Sequence, residues 1–201
     1  MENNIENKKQ PYYIFMDIDG SMWDKAYGEY VHGPFLSGID SPALKRSSIE
    51  AINVLTDTLE KHFDTKLVIT SRRREYFQNC LMYLKRYGLK YDKPIFCTDF
   101  KPGDRGQKIV DFMQEKGEHN FSYPRLKNIF ERIMYERKDN KDFKNYVVID
   151  DTKSIIKKQI PPSRTILTNG KKESLTMQQV VDYLLANNIP VHIPGEQAKY
   201  L

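Results

Sequence analysis

Aspartates stand close together at two places in this chain. FMDIDGS, residues 15–21, sets Asp17 and Asp19 two apart at the end of an apolar run. YVVIDDT, residues 146–152, ends a second apolar run in Asp150 and Asp151. Side chains two apart on an extended segment leave on the same side, so Asp17 and Asp19 are expected to point together while Ile18 faces the opposite layer. Carboxylates gathered at the end of a buried strand are costly to ionise unless a cation offsets them. A hard divalent ion such as Mg²⁺, which takes oxygen ligands, would do so. The competing reading is a strand end capped by solvated acids.

Between the acidic stretches lie LVITSRR, residues 67–73, and GDRGQK, residues 103–108. Thr70, Ser71 and the start of a following helix are suited to hold phosphate oxygens, and an arginine beside them can clamp those oxygens with two bonds. Acids, hydroxyls and cations in this order describe chemistry on a phosphate.

Such groups can meet only if the elements carrying them bring their ends together. Residues 12–18 read as a buried strand, as do 66–70, 94–98, 146–149 and 165–168. Helices are expected between them. Ser47 and Glu50 have the spacing of a capping box, and Ile49, Ile52, Leu55, Leu59 and Phe63 recur at helical spacing to about residue 63. Further helices run from about 74 to 87, stopped by Gly88, and from near Gly106 to Gly117. Another carries Ile155, Ile156 and Ile160, and the last spans about 175–187. Strands alternating with helices predict an α/β, Rossmann-like fold: a central parallel sheet of about five strands flanked by helices, with a small cap or none. Open sheets of this kind bind ligands beyond the carboxyl ends of their strands, where both acidic stretches fall. A flap at 20–42, holding four glycines and two prolines, and an inserted helix at about 118–145 interrupt the alternation. Residues 1–10 and 189–201 are expected as tails on a single domain, 11–188.

The chain has 201 residues, enough for one such domain with a sizeable core. It lacks any run of about 18 apolar residues, so no membrane span is expected, and its polar N-terminus does not resemble a secretory signal. Only two cysteines, Cys80 and Cys97, are present. That excludes a disulfide scaffold or a cysteine-built zinc finger and points to a reducing, cytoplasmic setting. A net charge of +5 suits anionic partners such as nucleotides, phosphate esters or nucleic acid. No sequence feature calls for a protein partner.

In their order, the four motifs resemble those of the haloacid dehalogenase superfamily of phosphotransferases, over about residues 12–187. The resemblance implies Asp17 as nucleophile and Asp19 as the acid that protonates the leaving group, with the backbone carbonyl of Asp19 holding the metal. It implies Thr70 or Ser71 as the phosphate hydroxyl, and Asp150 and Asp151 at Mg²⁺, with Asp151 the direct ligand. For the basic residue of the third motif it offers Lys108 first, then Arg105, then Lys101. DIDG, SRRRE, DRGQKI and VIDD are also similar to the domains of this superfamily associated with RNA repair and to the 3′-phosphatase domains of polynucleotide kinase-phosphatases. Those carry an arginine in the second motif, matched here by Arg72 or, with better spacing, Arg73. There is no GxxxxGK[ST] kinase loop, so a stand-alone phosphatase is expected.

The expected activity is therefore Mg²⁺-dependent hydrolysis of a phosphomonoester through an aspartyl-phosphate, on RNA or DNA ends or on nucleotides. Two alternatives stand beside it: a phosphatase of mononucleotides or small metabolites, and a non-catalytic nucleic-acid-binding module of the same fold. His32, Trp23, Tyr27 and Tyr30 in the flap could meet a base. His62 reads as lying on a helix surface, His119 and His192 as loop residues, and Cys80 and Cys97 as core.

Overall fold

A computed structural model describes residues 9–22, 44–71, 77–98, 105–115, 145–152, 160–169, 174–195 and 197–200. The elements in chain order are β1 (Pro11–Met16), α1 (Arg46–Glu60), β2 (Asp64–Ile69), α2 (Phe77–Arg86), β3 (Phe96–Cys97), α3 (Arg105–Glu115), β4 (Tyr146–Asp150), β5 (Thr165–Leu167) and α4 (Met177–Ala186). The five strands form one sheet in the order β3-β2-β1-β4-β5, every neighbouring pair parallel. With helices on both faces this is an α/β, Rossmann-like fold. The order steps from β1 outward to β3, then returns to the other side of β1 for β4. The point of reversal lies between β1 and β4, where such sheets open a crevice.

Alternation along the strands explains both layers. Tyr12, Ile14 and Met16 of β1, with Val147 and Ile149 of β4, enter a core shared with Ile52 and Leu55 of α1, Leu84 of α2 and Val180 and Leu184 of α4. Tyr13 and Phe15, with Tyr146 and Val148, face Ile109, Phe112 and Met113 of α3 on the opposite side. Phe112 meets the Tyr13 and Phe15 rings edge-on at centroid distances of 6.0 and 5.9 Å. Because both faces are covered, the strands read as continuous apolar runs rather than alternating ones.

Boundaries shift where tertiary contacts outweigh local signals. α1 begins at Arg46 behind Lys45, with no side-chain cap, so the expected capping box of Ser47 and Glu50 does not form. Instead the Lys45 N–H donates to Met22 O at 2.8 Å, and the Ser48 hydroxyl donates to Leu175 O at 2.7 Å. Glu50 is buried and accepts from Asn53 at 3.2 Å. The capping box appears at α4, where Thr176 and Gln179 bond each other's backbone. α1 ends at Glu60, leaving His62 exposed just beyond it, and β3 keeps only two residues. Past α4, Val191, Ile193 and Tyr200 lie against the core, and buried Gln197 reaches Glu50 at 3.5 Å, so much of the expected C-terminal tail is packed. Most of the expected flap, the insertion at 118–145 and the helix carrying Ile155 and Ile156 lie outside the described residues. Among the described residues, no helix is long and apolar enough to cross a membrane.

Candidate metal and phosphate site

β1 and β4 run parallel with Met16 opposite Ile149, so the next residues, Asp17 and Asp150, come level at the reversal point. The Asp17 N–H donates to Ile149 O at 2.9 Å, which continues the ladder one residue beyond β1. Both acids prolong the alternation of Tyr13, Phe15, Tyr146 and Val148, toward the layer that holds α3. That helix begins at the carboxyl end of the sheet, and its first residue, Arg105, reaches back over the edge. Its Nη1 is bonded to Asp150 Oδ2 and lies 3.6 Å from Asp17 Oδ2.

Carboxylate oxygens of Asp17, Asp150 and Asp151 lie within 4.8 Å of one another. Asp17 and Asp150 are almost wholly buried, at 1% and 0% exposure, and Asp151 is half-buried. Asp150 Oδ1 accepts the Thr152 N–H at 2.8 Å in a tight side-chain turn, and Asp151 Oδ1 takes the Thr152 hydroxyl at 3.3 Å. Asp17 Oδ1 is buried and has no hydrogen-bond partner among the described residues. Burial pushes the Asp17 carboxyl up to about 6. Arg105 and the Ser71 hydroxyl pull it down, while the neighbouring Asp19 and Asp151 carboxylates push it further up.

These residues fit a hard divalent cation. The donors are all oxygen, and metal–oxygen bonds of about 2.0–2.6 Å place opposite ligands about 4–5 Å apart. Among the described residues, Arg105 offsets part of the charge of the three acids, and one buried Asp17 oxygen has no hydrogen-bond partner. Backbone shape favours the same arrangement. Gly20 has φ +78°, and a Cβ there would fall 2.1 Å from Asp151 Oδ2. The carboxylate of Asp151 thus occupies the space that any larger residue at position 20 would fill.

Around this centre the structure places the other expected residues unevenly. The Asp19 carboxylate stands outside the group of three and accepts the Ser71 hydroxyl at 3.3 Å. Thr70 is buried, its N–H donating to Met16 O at 2.9 Å, level with the end of β1. Arg105, one of the expected basic residues, contacts Asp150 and Asp17; Lys108, also expected, follows one turn along α3, half-buried. Arg72, Arg73 and Lys101, with the flap residues Trp23, Tyr27, Tyr30 and His32, lie outside the described residues. Two residues were not anticipated. Gly20 carried a signal, a glycine directly after the acidic motif, which marks a turn. Thr168, which bonds Gly20 from across the sheet, carried none.

Fold and site together define an α/β protein with an acid cluster and a cationic helix start at the reversal point of a parallel sheet. No family model, curated protein or solved structure matches the chain.

Proposed function

We propose that this protein is a Mg²⁺-dependent phosphomonoester hydrolase that works through a phosphoryl group carried on Asp17. The observation carrying the proposal is the meeting of Asp17, Asp150 and Asp151 within 4.8 Å, with a buried Asp17 oxygen left unbonded. The motif resemblance to the haloacid dehalogenase superfamily supports the same assignment.

Asp17, Asp150 and Asp151 would hold the cation, joined by the Asp19 carbonyl. When bound, the cation neutralises negative charge so that an anionic carboxylate can approach an anionic phosphate. Asp17 attacks phosphorus in line, and the bond to the leaving oxygen breaks as Asp19 gives that oxygen a proton. Water then attacks the phosphorus of the acyl phosphate and gives its proton to Asp19, which releases inorganic phosphate and restores both acids. Ser71, bonded to Asp19, keeps that carboxyl oriented between the two steps. Arg105, Thr70 and Ser71 would meet the phosphoryl oxygens, with Lys108 adding charge at the start of α3; Arg73 is the further clamp that the motif resemblance implies.

The net charge of +5 favours RNA or DNA ends, or nucleotides, as the phosphate carrier. A reducing, cytoplasmic setting suits a chain whose two cysteines lie in a helix and a strand. The test is release of phosphate from an aryl phosphate. Activity should require Mg²⁺, stop with chelator and fall by about a thousandfold or more in Asp17→Asn. Near-full activity in that variant rejects the assignment. Comparing a 3′-phosphorylated oligonucleotide, a 5′-phosphorylated one and mononucleotides then identifies the carrier.

A further inference from the structure

Thr168, the first residue after β5, lies at 0% exposure and touches both acidic stretches. Its N–H donates to Asp150 O at 3.0 Å. Its hydroxyl donates to Gly20 O at 3.3 Å and lies 3.1 Å from the Ser21 hydroxyl. A threonine hydroxyl has one proton and can also accept, so the two contacts are compatible when Ser21 donates to Thr168. One residue, 148 positions along the chain from Gly20, thereby joins the turn after β1, through its hydroxyl, to the end of β4, through its backbone N–H.

What that turn does follows from Gly20. Its α-carbon faces the Asp151 carboxylate so closely that a Cβ would fall 2.5 Å from Asp151 Cγ. A shift of the turn toward β4 would collide with Asp151, and a shift away would open space beside that carboxylate. The Asp17 N–H bond to Ile149 O at 2.9 Å ties the start of this segment to β4. The turn's own bonds, Ser21 N–H and Met22 N–H to Ile18 O at 3.3 and 3.0 Å, set its shape; the Thr168 hydroxyl is the contact at Gly20 itself. Leu175 N–H donates to Ser21 O at 2.7 Å.

We infer that Thr168 is a positioning residue for the cation site: its hydroxyl sets the gap between Gly20 and Asp151 and so places Asp151 among the three carboxylates. The inference rests on the metal reading above and adds a residue outside its motifs. Groups that orient ligands from behind typically change metal affinity by about 10–100-fold when removed.

The experiment measures Mg²⁺ binding calorimetrically to the chelator-stripped full chain, without phosphate. Thr168→Val and Thr168→Ala keep the backbone bond to Asp150 and lose the hydroxyl; both should bind Mg²⁺ at least about tenfold more weakly. Thr168→Ser should bind within about threefold of the unaltered chain, since the hydroxyl remains. Melting temperatures in chelator should differ by only a few degrees, which separates placement of Asp151 from general loss of stability. Thr168→Ala, which adds no methyl to the buried space, serves if Thr168→Val does not fold. Unchanged Mg²⁺ affinity in the folded hydroxyl-free variant overturns the inference. Absence of Mg²⁺ binding by the unaltered chain overturns the metal reading instead. The crystal structure of Thr168→Ala then decides the positioning role alone: Asp151 displaced from Gly20 supports it, and Asp151 unmoved overturns it.

Discussion

The two ends of the sheet handle aspartate in opposite ways. At the amino end, Asp64 opens β2 in partial exposure and meets two lysines, Lys66 at 2.8 Å and Lys93 at 3.3 Å; Lys93 also reaches Glu60 at 3.1 Å. The hydrogen bond from Lys66, with further help from Lys93, lowers the Asp64 carboxyl from its usual range. At the carboxyl end, buried Asp17 shares one arginine with Asp150 and has Asp151 beside it, and its carboxyl is raised to about 6. The residue type is the same; burial and the ratio of cations to acids differ. One end is balanced and partly exposed, whereas at the other the described residues set three acids against one arginine, with Asp17 and Asp150 buried. A surplus of that kind costs folding energy, and a bound cation can recover it.

Three measurements test this contrast, beginning with the largest expected effect. Arg105→Gln leaves buried Asp150 without its guanidinium and should destabilise the chelated chain by about 3 kcal/mol in denaturant melts. Added Mg²⁺ should restore part of the loss. A change within about 0.5 kcal/mol would mean that the arginine is not the resident counter-charge.

The pH dependence of Asp17 should be somewhat smaller. Its folded pKa of about 6 lies above the ordinary 3.8, so between these values the native state holds more of the proton than the unfolded chain does. The contribution is full below the ordinary value and disappears as pH rises through about 6, a change of about 2–3 kcal/mol for a shift of this size. In chelator, Asp17→Asn should lack this step and should be the more stable chain at pH 7. Parallel stability profiles for the two chains would remove the basis of the contrast.

Least should come from the amino end. Asp64→Asn breaks exposed pairs and should cost under about 1 kcal/mol, a cost that shrinks further as salt is added. A loss as large as that of Arg105→Gln would erase the difference between the two ends.

Much of the fold was legible because burial on both faces writes itself into the chain as apolar runs. YYIFM and YVVI are read as buried strands without knowing their neighbours, and the acids that end them mark where a crevice opens. The α1 cap was misread for the opposite reason. Ser47 and Glu50 obey a local rule, yet the contacts of Lys45 with Met22 and of Ser48 with Leu175 come from residues far along the chain. The basic residues of the site fell between these cases. GDRGQK announced cations at a helix opening, with Lys108 the first choice and Arg105 the second, and the packing of Phe112 against Tyr13 and Phe15 goes with Arg105 lying over the acids.

The sequence alone determined the strands, the parallel α/β class and the candidate acids Asp17, Asp19, Asp150 and Asp151, since periodicity and residue type are properties of short stretches; of these acids the first and the last two cluster. Tertiary structure decided that these acids meet, that Arg105 is shared between Asp17 and Asp150, that Gly20 yields its side-chain space to Asp151, and that Thr168 spans the gap. Each of those depends on strand order and on register across the sheet. These relations join residues from 45 to 148 positions apart, and no local pattern in the chain records them.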